Sequence, residues 1–294
     1  MAGALEEEEE PGPRGGGVLH VVATPIGHLG DITLRAVETL RAADRILAED
    51  TRRARALLSH LGIEGKPVDR FDAHAGDADV ARAVARLEGG ESIALITDAG
   101  TPVVSDPGSS LVRAAAAAGL RVAAVPGPSA VMAALSVSGL VTGGFRFVGF
   151  LPRGGRERGE ALALVSATPE AVVLFESPRR IGETLAELAA RTPRRPALLA
   201  RELTKVHEEL LRGTLAELAA LDRAWLGEIT VVLGPAEPDA GPALSEAEID
   251  ARIDQELARG RRPKHIAEEL AVELGAPRRE LYARVIARRG SGPA

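Results

Sequence analysis

Short apolar runs alternate with amphipathic stretches from Val18 onward. Residues 18–24 (VLHVVAT) are an apolar run that stops at Pro25 and Gly27, the pattern of a buried strand. Asp31-Ile32-Thr33 then opens a helix on which Leu34, Val37, Leu40 and Ala43 recur at helical spacing. Further strands are predicted at 45–48, 92–97 and 122–125, and helices at 54–61, 77–88 and 109–118. Ser129 caps another helix, built of small residues. This alternation with short connections predicts a parallel, doubly wound sheet with its sites at the carboxyl ends of the strands. Three Gly/Pro-rich loops stand at such ends: 24–31 (TPIGHLGD), 97–108 (TDAGTPVVSDPG) and 126–130 (PGPSA).

A second set of strands is predicted at 145–150, 171–175, 197–200 and 228–233, with helices at 181–190 and 215–220. Fewer crossovers between these strands suggest a mixed sheet. Residues 151–160 (LPRGGRERGE) read as a mobile, Arg-rich loop. Near the C-terminus Ile266, Leu270 and Leu274 form one helical stripe, Gly275-Ala276-Pro277 a turn and 278–288 another helix, which is helix–turn–helix spacing. The expected organisation is a tail (1–17), an N-terminal α/β domain (18–126), a second α/β domain (127–234), a linker (235–243) and a small helical appendage (244–289).

Composition narrows this picture. The 294 residues include 45% hydrophobic positions, enough for two cores, but only five Phe, one Trp and one Tyr. With no cysteine, disulfides, thiolate metal sites and a Cys nucleophile are excluded, and a reducing cytoplasmic location fits. The formal charge is -6, and the run Glu6 to Glu10 supplies five of those units. The remainder is nearly neutral, so any nucleic-acid partner must meet a local basic patch. The appendage is close to neutral too, which argues against a strong independent nucleic-acid binder. No apolar stretch approaches the ~18 residues of a membrane span. The acidic, then Gly/Pro-rich N-terminus lacks the plan of a signal peptide and reads as a disordered tail.

The loops carry the candidate chemistry. Neither a GxxxxGKS/T phosphate loop nor a GxSxG elbow occurs, the six His show no metal-ligand spacing, and GxGxxG is missing after the first strand. What remains is a neutral loop. Gly100 and Gly108 permit tight turns and close backbone approach, Pro102 and Pro107 stiffen it, and Asp98 and Asp106 can hold amides. Such a loop suits a neutral or zwitterionic ligand held by backbone groups. A rigid structural loop with an Asp cap explains it equally well.

Six ordered segments, TPIGHLGDIT, AEDTR, TDAGTPVVSDPG, VPGPSA, FESPRR and RELTK, resemble the ribosomal small-subunit RNA ribose 2′-O-methyltransferases of the tetrapyrrole methylase superfamily. The resemblance runs from about residue 19 to 234, and the C-terminal helices resemble that family's appendage. It implies S-adenosylmethionine bound between two α/β domains, and methylation of the 2′-oxygen of cytidine 1402 of 16S rRNA, in the decoding centre. A homodimer is implied as well. Carried over by motif, the cofactor neighbours are Pro25, Asp98, Ala99, Gly100, Thr101, Val104, Ser129 and Ala130, with Phe175 and Leu203 near the adenine. Two positions depart from the pattern: His28 replaces the asparagine of TPIGN, and an HNE-like segment reads His74-Ala75-Gly76.

Methyl transfer from a sulfonium is an in-line displacement governed by positioning, and the weakly nucleophilic ribose hydroxyl gains from a base or a nearby cation. Glu49, Asp50, Glu176 and Lys205 stand at strand ends as candidates. Arg52, Arg179 and Arg180, with Arg153, Arg156 and Arg158 of the Arg-rich loop, are candidate RNA contacts. Each is also readable as a solvated charge or an ion pair, the more common state of a carboxylate at a strand end. Two other functions compete. A tetrapyrrole methylase of the same fold should carry a GPGD-type signature where TPIG stands. A non-catalytic ribosome-binding module should show no saturable S-adenosylmethionine site.

Overall fold

The computed structural model describes residues 16–103, 108–141, 143–236, 246–274 and 276–290. The chain divides into two compact units, one up to Pro235 and one from Ala236.

The first unit opens with β1 (Val18–Val22), α1 (Leu34–Ala42), β2 (Arg45–Ala48), α2 (Thr51–His60), β3 (Val68–Arg70), α3 (Asp77–Glu88), β4 (Ile93–Ile96), α4 (Ser109–Ala117) and β5 (Arg121–Val125). The five strands form one sheet in the order β3-β2-β4-β1-β5, and every pairing is parallel. Both faces are covered. Leu40, Ile46, Leu58 and Ile96 belong to the core on one side, and Leu19, Leu87, Leu95 and Leu111 to that on the other. Removing one such buried leucine side chain costs about 2–5 kcal/mol. Because β1 and β4 are parallel neighbours, the loops that follow them leave the sheet side by side.

Next come α5 (Ala130–Ser138), β6 (Phe145–Phe150), α6 (Gly155–Ala167), β7 (Ala171–Glu176), α7 (Ile181–Ala189), β8 (Pro196–Arg201), β9 (Glu209–Thr214), α8 (Leu215–Ala219) and β10 (Ile229–Leu233). Their sheet, in the order β6-β7-β10-β8-β9, is mixed: β6 and β7 are parallel, and β10 runs antiparallel to β7 and β8. Val172 and Leu174 face the cluster built with α6 and α7, while Val173 and Phe175 face α5. The α/β class with one parallel and one mixed sheet is therefore as expected.

Three local expectations fail. The short polar strand β3 and the edge strand β9, whose apolar residues are only the pair Leu210-Leu211, were not expected. Residues 151–160 are not a mobile loop, because α6 begins at Gly155 and buries Arg158, Leu162 and Val165.

In the second unit α9 (Glu246–Ala258), α10 (Pro263–Leu274) and α11 (Arg278–Gly290) surround Ile253, Ile266, Leu270, Leu281 and Val285. Arg284 pairs with Asp250 at 2.6 Å, and Arg288 with Asp254. No helix among the described residues is long and apolar enough to cross a membrane.

Candidate active site

The loops after β1 and β4 are tied to one another by main chain. Thr24 N–H donates to Gly100 O at 2.9 Å, and Gly100 N–H donates to Thr24 O at 3.0 Å. The Thr24 hydroxyl adds a bond to Thr97 O at 3.1 Å. Gly100 sits at φ +87°, where an L side chain is strained. Thr101 Oγ1 donates to Pro128 O at 3.2 Å, bringing in the loop after β5. There Ser129 caps α5, its hydroxyl accepting Met132 N–H at 3.4 Å.

The loop after β1 also meets the turn after β8. A Cβ on Gly27 would lie 2.5 Å from Lys205 Cγ, 2.7 Å from Thr204 Oγ1 and 3.0 Å from Leu203 O, so only glycine allows this approach. His28 replaces the family's asparagine without losing the turn, since its Nδ1 accepts Gly30 N–H at 3.1 Å as an asparagine oxygen would.

These loops wall a cleft of about 310 Å³, lined by Thr24, Pro25, Ile26, Leu57, Asp98 and Ala99 among others. Its cations are already paired. Arg53 meets Asp98 at 3.4 Å, and Lys205 meets Glu202 at 2.9 Å and Glu228 at 3.1 Å. Burial works against the charge of Lys205, but its bonds to Glu202 and Glu228 prevail and hold it above its ordinary value. Lys205 is thus a poor proton acceptor. Asp98 is pushed up, first by burial and then by the charge of Glu49. Asp50 is pulled down, chiefly by the Arg52 amide, because it caps α2. Apolar walls, carboxylates and no unpaired Lys or Arg make a donor set that fits a cationic sulfonium and not a triphosphate.

A second, more polar hollow of about 550 Å³ adjoins and shares Asp50 and Asp98. Glu49, Arg52, Arg70, Asp72 and His74 complete its rim. Glu49 accepts the Thr97 hydroxyl at 3.0 Å.

The residues assigned to the cofactor through the resemblance come together. Ala99, Ala130, Phe175 and Leu203 share one apolar cluster with Ile26 and Val131, and the Thr24–Gly100 and Thr101–Pro128 bonds join their loops. Val104 lies outside the described residues.

Three sequence assignments are corrected. Glu176 is 2% exposed, accepts from Ser177 N–H and the Thr184 hydroxyl at 2.8 Å each and pairs with Arg180, so it is no accessible base. Arg158, 4% exposed, is held by Glu187, Thr184 and Pro152 O and cannot reach a phosphate. Arg180 points inward to Leu151 O and Pro152 O. Arg52, Arg153, Arg156 and Arg179 remain on the surface, although Arg156 pairs with Glu160 at 2.6 Å. The sequence reading overlooked Gly27, Arg53, Thr204 and Glu228. Only Gly27 carried a signal, a glycine two residues after the strand-ending Pro25.

The chain is similar to known proteins over most of its length. Residues 18–219 match the model of the tetrapyrrole (corrin/porphyrin) methylases. The ribosomal RNA small subunit methyltransferase I of Xylella fastidiosa (strain Temecula1 / ATCC 700964) is 46% identical over 90% of this chain and 98% of its own. Its counterpart from Mesorhizobium japonicum is also 46% identical, over 91% of each chain. Among solved structures, the methyltransferase CobJ shares the fold at a TM-score of 0.59 and 20% identity, covering 76% of this chain and 95% of CobJ. The chain belongs to the tetrapyrrole methylase family and, within it, to the group of the ribosomal RNA small subunit methyltransferases I.

Proposed function

We infer that the protein is an S-adenosylmethionine-dependent methyltransferase that modifies small-subunit ribosomal RNA. We further propose that its target is the ribose 2′-oxygen of the cytidine at position 1402 of 16S rRNA, and that it works in the cytoplasm as a homodimer. The observation that carries the reading is the cleft of about 310 Å³ between the loops after β1 and β4, which holds carboxylates and no unpaired cation. When bound there, the cofactor supplies an activated methyl group, and catalysis then rests mainly on alignment. Main-chain groups of Pro25–Gly27 and Asp98–Thr101 left open by the Thr24–Gly100 pair would hold it, with Phe175 and Leu203 toward its adenine as the resemblance implies.

The hydroxyl proton needs an acceptor, and three of the four sequence candidates are spoken for. Glu176 is enclosed, Lys205 is held as an ammonium, and Asp50 caps a helix. Glu49 remains, and the structure adds Asp98 beside it. They lie at the polar hollow, where burial and the charge of Glu49 make Asp98 harder to ionise and so a better proton acceptor than an ordinary carboxylate. We assign the acceptor role to this pair. Arg52 on the rim is placed to meet a phosphate.

Transfer of tritiated methyl groups onto small subunits from a strain lacking the modification tests the reading. One labelled 2′-O-methylcytidine per subunit is expected. No saturable S-adenosylmethionine binding, or label on a base instead of a ribose, would sink it.

A further inference from the structure

Four of the chain's five phenylalanines lie on two adjacent strands: Phe145, Phe147 and Phe150 on β6, and Phe175 on β7. In a regular strand Phe147 and Phe150 would point to opposite faces, because side chains alternate. The ladder shifts between them. Phe147 lies opposite Val173 and Phe150 opposite Phe175, so β6 spends one residue more than β7 over this stretch. Gly149, at φ +65°, makes the bulge possible. Phe150 is thereby turned onto the face of Phe147, and both rings meet Phe175, at centroid distances of 5.6 and 5.0 Å. Phe147 and Phe175 are half-buried, whereas Phe150 is 58% exposed.

The exposed ring is rigidly presented. Arg180 donates to the carbonyls of Leu151 at 2.8 Å and Pro152 at 3.0 Å, and Arg158 donates to Pro152 O at 3.1 Å. Glu176 and Glu187 hold these two guanidiniums in turn. The two peptides after Phe150 are thus clamped from beneath. Arg153, three residues on, and Arg179, in the turn after β7, are exposed and have no ion-pair partner among the described residues. Phe175, which backs Phe150, belongs to the cluster that contains Ala99, Ala130 and Leu203, so the ring stands beside the candidate site.

We propose that Phe150 is a stacking platform for one unstacked base of a single-stranded RNA segment, with Arg153 and Arg179 on the flanking phosphates. The proposal rests on the RNA-methyltransferase reading above. Proteins hold single-stranded RNA by stacking bases on exposed aromatic faces while arginines neutralise the backbone, and this cluster offers both. A protein partner would favour a broader apolar area than the exposed rings of Phe150 and Phe145 on β6, a strand followed by Arg153, with Arg179 following β7.

The test compares the unaltered protein with Phe150→Ala, Phe150→Leu and Phe150→Trp. Three quantities are measured: binding of a short fluorescein-labelled single-stranded RNA, affinity for S-adenosylmethionine by calorimetry, and mass by sedimentation. Phe150→Ala and Phe150→Leu should each weaken RNA binding about tenfold, and Phe150→Trp should restore it. Cofactor affinity and mass should not change. Leucine keeps apolar area but not a flat ring, so undiminished RNA binding by Phe150→Leu overturns the stacking role. A parallel fall in cofactor affinity would move the ring to the adenine site, and a change in mass would assign it to a contact between copies; either overturns the proposal. If the unaltered protein transfers no methyl group to the subunit, the function reading fails, while the RNA comparison still decides the platform.

Discussion

The main-chain N–H of His28 donates to the hydroxyl of Thr204 at 3.1 Å, across a sequence separation of 176 residues. It fastens the loop after β1 to the turn after β8, and so one wall of the cleft to the other sheet. The turn is under strain, with Glu202 at φ +52° and the β-branched Thr204 at φ +65°. Glu202 compensates by accepting Glu228 N–H at 2.8 Å and pairing with Lys205, and Glu208 accepts Thr204 N–H at 2.7 Å. Strain held by its surroundings is frequent where geometry serves a ligand.

Gly27 is the weakest point of that junction. A methyl group there meets Leu203 O as well as two side chains, and a carbonyl in a strained turn yields poorly. Gly27→Ala should lower stability by about 1–3 kcal/mol and weaken S-adenosylmethionine binding. Urea unfolding and calorimetry measure the two effects. An unchanged cofactor affinity would mean that the junction does not shape the cleft.

Gly100→Val separates strain from occupancy. A Cβ at Gly100 would find Ile26 Cγ2 at 3.4 Å and Pro128 O at 3.7 Å, so the fold has room, but φ +87° is costly for a β-branched residue. The protein should fold with a stability loss of about 1–3 kcal/mol and lose saturable cofactor binding. A variant that binds the cofactor as the parent does would place the ligand elsewhere.

Asp98 sets activity against stability. Its carboxyl is held above the ordinary range by burial and by Glu49, so ionisation is harder in the folded chain than in the unfolded one. That penalty is absent below the unfolded value of about 3.9, where the group is neutral in both states, and complete above the raised folded value. Asn keeps an oxygen that can accept Asp50 N–H, the bond seen at 3.1 Å. Asp98→Asn should therefore raise the melting midpoint at pH 7 by about 1–3 °C, with the gain gone near pH 3. Methyl transfer should fall about a hundredfold. Full activity in the stabilised variant would remove Asp98 from proton transfer.

Much of this arrangement was legible beforehand, for definite reasons. Buried parallel strands such as β4 read as unbroken apolar runs, and loops at their ends announce themselves by Gly, Pro and Asp. Thus the loops that meet at Gly100 were found from sequence. β3 and β9 were not, because Val68–Arg70 and Glu209–Thr214 lie at sheet edges and need little apolar patterning. The larger error concerned charge. Arg158, Arg180 and Glu176 look like solvated groups in a chain of letters, yet each finds its partners only when α6, α7 and β7 pack. The spacing of Glu176 and Arg180, four apart, was the one local hint.

That buried network makes its own forecast. The Thr184 hydroxyl donates to Glu176 Oε2 at 2.8 Å and accepts Arg158 Nη2–H at 2.9 Å. Thr184→Val keeps the volume but strips a partner from both charges. Losing one of several hydrogen bonds at each of two buried charges should cost about 1–3 kcal/mol in urea unfolding. A cost below about 0.5 kcal/mol would show that the charges repartner among themselves.

The correction of Arg158 and Arg180 redraws the RNA surface. Arg153 and Arg179, like Arg146 on β6, are exposed and without an ion-pair partner among the described residues, whereas Arg158 and Arg180 serve the fold. Each lost phosphate contact should reduce the log–log salt slope of RNA binding by roughly 0.7–0.9. Arg153→Ala combined with Arg179→Ala should therefore flatten the slope by about 1.4–1.8, with stability and cofactor affinity unchanged. Arg158→Met should behave in the opposite way: the loss of its bonds to Glu187 and Thr184 shows as a lower unfolding midpoint, while the salt slope of the folded fraction keeps its value. Binding isotherms from 50 to 200 mM salt distinguish the two. If the double variant keeps the parent's slope, the RNA backbone lies on another face, and Arg52 at the polar hollow becomes the residue to alter next.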